Sequence, residues 1–182
     1  MKLEELLLQR ASHILKRWTD LIFDTYPPDA KRFLRKQKDP FANPVGSTLF
    51  KEIETFYREF LGPADPEIMN GALDAVIRIR AVQEFSASDA VGFLFLLKKI
   101  IREETAQAVR EKRITQDELL ALESRLDAAA LAGFDLYMRC KEQVYEIRAR
   151  EAKSQVSGLL RRAGLISEIP ARDSENKKTS MT

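Results

Sequence analysis

One histidine and one cysteine bound the chemistry open to this chain. His13 would have to act as the base of any Ser-His-Asp or Cys-His site. No nucleophile elbow accompanies it, and it sits beside Ile14 in an amphipathic stretch, the setting of a helix-surface residue. A zinc site needs more nitrogen and sulfur ligands than one His and one Cys can supply. A haem held by a proximal histidine would need that residue deep in a helical core, and His13 lies near the N-terminus. Gly-rich phosphate loops are absent. Cys140, between Leu136 and Val144 on an apolar seam, fits a small hydrophobe better than an exposed thiolate. Arg78 and Arg80 remain. They flank Ile79, point to different sides of a helix, and are candidate contacts for a small anion or a partner. The residues therefore predict no catalytic site, no cofactor and no metal, and an enzyme is not expected.

Charge and composition narrow the class further. Lys+Arg 30 against Asp+Glu 28 nearly cancel, so a sequence pI near 8.6 does not mark a nucleic-acid binder. Arg148, Arg150, Lys153, Arg161 and Arg162 outnumber Glu146 and Glu151 near the C-terminus, but no recognition module goes with them. A chain of 182 residues, 45% hydrophobic and 32% charged, has the size and balance of one soluble domain. The start, MKLEELLLQR, carries two glutamates before a three-Leu run, which is not a secretory signal. No apolar run approaches the ~20 residues of a membrane span. A cytoplasmic protein with no membrane span and no nucleic-acid partner is expected.

The elements that position these residues all read as helices. Leu3, Leu6, Leu7, Ile14, Trp18, Leu21 and Ile22 predict a first amphipathic helix that Pro27 and Pro28 stop. Asp29 caps a short second one with Phe33 and Leu34 facing inward. After the turn-rich Asp39-Pro40-Phe41-Ala42-Asn43-Pro44, a third helix turns Leu49, Ile53, Phe56, Tyr57 and Phe60 to the core. A fourth begins at Pro66 and carries Ile68, Leu73, Val76, Ile77 and Ile79. Ser86 with Asp89 opens a fifth, whose run from Ala90 to Leu97 has no polar side chain. A helix apolar on every side belongs at the centre of a packed protein. Thr115 with Glu118 opens the last, whose seam of Leu119, Leu122, Leu126, Ala129, Gly133, Leu136, Cys140, Val144 and Ile147 continues toward Leu159 and Leu160. At ~68 Å for ~45 residues, it exceeds a domain only ~30–35 Å across, so it must bend, break at Gly133 or Gly158, or project. The expected architecture is all-α, a bundle of about six helices with a long C-terminal one. Residues 1–164 form one domain, and 165–182 form a disordered polar tail.

Three blocks, LKRWTDLIFDTYPPDAKRFLRKQKDPFANPVGSTL, RIRAVQEFSASDAVGFLFLLKKIIREE and FDLYMRCKEQVYEIRAREAK, follow one another in an order that resembles the RsbRD N-terminal domain family. The resemblance spans roughly Leu15 to Lys153. It implies a globin-like, haem-free, dimeric sensory domain of the stressosome RsbR type, with no catalytic motif. RsbR-type regulators carry a STAS domain after the sensory domain, and this chain ends soon after the last block, so a stand-alone domain lacking STAS is expected. The resemblance also implies a last helix that packs in the dimer. Val144, Ile147, Val156, Leu159 and Leu160 are then the expected dimer contacts. The expected function is a non-enzymatic regulatory or sensory protein-interaction domain. Its partners would be a second copy and an unknown regulatory protein. The alternatives are an accessory or assembly subunit of a cytoplasmic complex, and a small-ligand-binding helical module with a pocket near Arg80.

Overall fold

Proline, asparagine and aspartate mark where the helices begin. In the computed structural model, which describes residues 2–36, 41–63 and 65–163, the order is α1 (Leu3–Gln9), α2 (Ala11–Asp24), α3 (Pro28–Lys36), α4 (Pro44–Leu61), α5 (Pro66–Val82), α6 (Ala87–Arg110) and α7 (Gln116–Arg162). No strand occurs among the described residues, and the fold is all-α as expected. Asn43 caps α4 by accepting from the Gly46 N–H at 2.9 Å, and Asp65 caps α5 by accepting from the Glu67 N–H at 2.9 Å. Each is followed by a proline whose missing N–H costs nothing at a helix start. Both expected caps form, but only Thr115 makes the full capping box, its N–H donating to Glu118 Oε2 at 2.7 Å; at Ser86 the Asp89 carboxylate accepts from the Ser86 hydroxyl at 2.6 Å. Ser86 Oγ accepts from the Asp89 N–H at 3.1 Å, and Thr115 Oγ1 from the Glu118 N–H at 3.1 Å. Asp29 is not a cap, because α3 starts one residue earlier, at Pro28.

The chain falls into two units, residues 1–143 and residues 144 onward. The first holds α1 to α6 and the opening part of α7. The second is the remainder of α7 within the described residues, and the expected polar tail at 165–182 lies outside them. Helix α7 runs unbroken past Gly133 and Gly158. The expected first helix is instead two, parted at Arg10, whose backbone (φ −95°, ψ 7°) is not helical. The guanidinium of Arg10 is tied to the Glu104 backbone carbonyl at 3.0 Å, a contact 94 residues away in sequence.

At the middle of the first unit Trp18 is 0% exposed. Its ring stacks on Phe93 (5.8 Å) and meets Phe56 at a tilt (6.2 Å), and its indole N–H donates to the Phe93 carbonyl at 2.7 Å. Tyr57 in α4 donates to the Leu7 carbonyl of α1 at 2.8 Å. Leu49, Ile53, Phe56, Tyr57 and Phe60 are buried as expected, as are Leu122, Leu126, Ala129 and Cys140. Two inward assignments are corrected, at Phe33 (51% exposed) and Phe95, and Ile68 of α5 is exposed as well. For Phe95 the consequence is larger: the apolar run of α6 buries Ala90, Val91, Phe93, Leu94 and Leu97 but leaves one side uncovered.

Two helices end on a non-glycine residue in the left-handed region, Glu84 (φ 64°) after α5 and Lys112 (φ 55°) after α6. At the second, the Lys112 N–H reaches the Val109 carbonyl (3.0 Å) and the Arg113 N–H the Ala108 carbonyl (2.9 Å), the paired bonds of a Schellman ending. A side chain at this position strains the backbone and glycine does not. Lys112→Gly is therefore expected to stabilise the fold by about 1 kcal/mol, read as a rise in the denaturation midpoint at unchanged slope.

Ion pairs join α2 to α6. Glu104, with its side chain largely buried, accepts from Arg10 (3.1 Å) and Arg17 (2.8 Å), and His13 Nε2 stands 3.3 Å away. Burial alone would raise the Glu104 pKa, but the hydrogen bonds from Arg10 and Arg17 outweigh it and hold the carboxyl below its ordinary value of 4.5. A carboxyl depressed by folding adds stability above its unfolded pKa and loses that contribution as pH falls through the folded one. Stability is therefore expected to fall as the pH drops below 4.5, with Glu104→Gln flattening that limb in acid titrations followed by circular dichroism.

Candidate functional site

The two arginines singled out from the sequence have opposite fates. Arg78 is exposed on α5 and pairs one turn back with Asp74, Nε to Oδ2 2.5 Å, a bond that raises its pKa. Arg80 is 0% exposed. Its guanidinium lies where α5 ends, α2 ends and α6 begins. Nη2 donates to Thr25 Oγ1 (3.0 Å) and to the Asp89 carbonyl (3.0 Å), while the Phe85 and Tyr26 rings sit 4.1 and 5.5 Å from its carbon. Nε and Nη1 have no hydrogen-bond partner, and no carboxylate pairs with it among the described residues. Burial pulls its pKa down, with Tyr26 and then Asp89 acting the other way. The cation is held by two aromatic faces, the Thr25 hydroxyl and the Asp89 carbonyl.

His13 is exposed, and Cys140 is buried with its thiol pKa pushed up, chiefly by burial. No group of three or more His, Cys, Asp or Glu able to hold a metal occurs among the described residues. No helix among them is long and apolar enough to cross a membrane.

The feature the sequence did not reveal is the open side of α6. Phe95 (53% exposed), with Leu131 (72%) and Phe134 (45%) of α7, lines a groove of about 810 Å³ floored by Val91 and Ala130. Asp127 stands at its edge, 2.8 Å from Lys98 Nζ. Next to that pair the buried Glu123 is clasped by Arg102, which holds its carboxyl below the usual range. A contiguous apolar patch with a charged rim is the composition of a contact surface.

In the second unit Val144 and Leu160 are half-buried, while Ile147, Val156 and Leu159 are exposed. These five do not share one stripe. At about 100° per residue, Ile147 lies roughly 160° round the helix from the side bearing Tyr145, Ala149, Ala152, Val156 and Leu159. Those last residues step by four and three, the spacing of a coiled-coil seam.

Residues 12–152 match the family described as the RsbT co-antagonist protein rsbRD N-terminal domain. The chain belongs to the RsbRD N-terminal domain family. No curated protein and no solved structure matches it. The RsbRD N-terminal match covers α2 from its second residue, α3 through α6 whole and most of α7, including both walls of the groove, Arg80 and all of the Glu104 cluster except Arg10.

Proposed function

We propose that this chain is a non-enzymatic regulatory domain of the RsbR type that works in the cytoplasm as a homodimer and relays its signal by protein contact. The observation that supports this reading is the apolar side of α6 and α7. Phe95, Leu131 and Phe134 are exposed together on two neighbouring helices, and burying them recovers roughly 25 cal/mol per Å². A second copy presenting the same face supplies a self-complementary partner, as two-fold dimers require. The charges at the edge of this face, Asp127 and the Lys98 bound to it, include both signs, which such a pairing uses. In the second unit Tyr145, Val156 and Leu159 offer a contact of their own, with Leu160 beside them and Val144 off to one side, while Ile147 lies on the far side of the helix and takes no part in it. The match to a family of RsbT co-antagonist domains favours a regulatory protein as the further partner. Arg78, at the surface, is the arginine available to such a partner, and Arg80 acts from within by setting the α5–α6 corner.

Sedimentation equilibrium checks the central claim. The wild type is expected at twice 20.8 kDa, and Phe95→Glu with Leu131→Glu at the monomer mass, with helix content unchanged because both side chains face water in one copy. A wild type that stays monomeric at all concentrations would remove the dimer and favour an accessory subunit whose face is covered by a different chain.

A further inference from the structure

A second cleft lies between α2 and α4, and its chemistry differs from that of the α6–α7 groove. Leu15, Lys16, Thr19, Asp20 and Phe23 share one face of α2, being spaced by three and four. Phe50, Glu54 and Arg58 stand opposite on α4. Two hollows of about 390 and 520 Å³ meet here, both lined by Lys16, Asp20 and Phe50. These volumes lie within the range of small-molecule sites. Phe23 and Leu34, both buried, floor the larger hollow, and the half-exposed Phe50 ring stands between the two.

The charges along the cleft are paired except one. Asp20 faces Arg35 at 3.5 Å, and Glu54 holds Arg58 at 2.7 Å. Lys16, where the hollows join, has no ion pair among the described residues. Beside it Thr19, 7% exposed, lines the smaller hollow, with its hydroxyl enclosed and without a hydrogen-bond partner. From this geometry we infer a seat for a small aromatic carboxylate. Its ring lies against Phe50 and Phe23, and its single negative charge meets Lys16. The carboxylates of Asp20 and Glu54 lie too close to favour a multiply charged phosphate. One point cation also lacks the fork of donors that phosphates prefer.

Indole-3-acetate is a suitable probe, titrated into the full chain by calorimetry with neutral indole as the control. Saturable binding with a dissociation constant on the order of 1 mM or tighter is expected for a ligand of this size. Indole and the Lys16→Gln chain should each bind about fivefold more weakly, the worth of a half-solvated ion pair. Because Lys16 is exposed and unpaired, Lys16→Gln should leave the melting temperature unchanged, and Phe50→Ser gives an independent loss of affinity. Three results would overturn the inference: no saturation up to about 20 mM, some twenty times the expected constant; equal affinity for indole; or full affinity in Lys16→Gln. None of them bears on the dimer, whose face is on other helices.

Discussion

Trp18→Ala is expected to destabilise the protein by about 4 kcal/mol, the upper part of the range for large-to-small changes in a core. The side chain is wholly enclosed, contacts two aromatic rings on two other helices, and makes the indole bond to the Phe93 carbonyl. Its loss leaves a cavity that α2, α4 and α6 can close only by shifting together, and stiff interiors resist such shifts. Trp18→Phe separates the contributions. It keeps most of the apolar volume and gives up the hydrogen bond, so about 1–2 kcal/mol is expected. Urea denaturation of both variants checks the order. If Trp18→Phe cost as much as Trp18→Ala, the indole bond and not the packing would dominate.

Arg80→Ala comes second, at about 3 kcal/mol, and its partner variant carries the information. The guanidinium is fully buried with two nitrogens unsatisfied and no carboxylate beside it among the described residues, an arrangement that stability alone does not favour. Replacing it by methionine preserves the length and apolar stem and removes the desolvated charge. Arg80→Met is therefore expected to lose less than 1 kcal/mol, or to gain. A wide gap between the two variants would mean that the arginine's volume holds the corner together and its charge does not. Equal losses would instead show that the bonds to Thr25 and Asp89 carry the junction.

What was legible in the sequence was local. Ser86 with Asp89 and Thr115 with Glu118 announce helix starts because the bonding partners lie within one turn. The spacing of Leu49, Ile53, Phe56 and Phe60 fixes a buried face for the same reason. Asn43 and Asp65 were missed as caps although each precedes a proline, a signal available in the residues themselves. Other features had no local signal. Eight apolar residues from Ala90 to Leu97 carry no periodicity, so nothing in them says that Phe95 is the one left in water. The parting of α1 from α2 accompanies a bond from Arg10 to a residue 94 positions on. That Arg78 and Arg80 diverge follows from their spacing, but which of them points inward is set by Thr25, Tyr26 and Phe85, brought there by the tertiary fold. Family membership was legible because it rests on residues strung along most of the chain.

Trp18 is also the only tryptophan in the chain. Sealed against Phe93 and Phe56, it should emit at short wavelength and resist quenching by iodide, with no competing indole to blur the signal. It lies one residue from Thr19 and two from Lys16 on the same helix, and it touches α6 on its other side. Events at the α2–α4 cleft and strain passed along α6 therefore converge on one fluorophore. The native protein, without any attached label, is its own optical gauge.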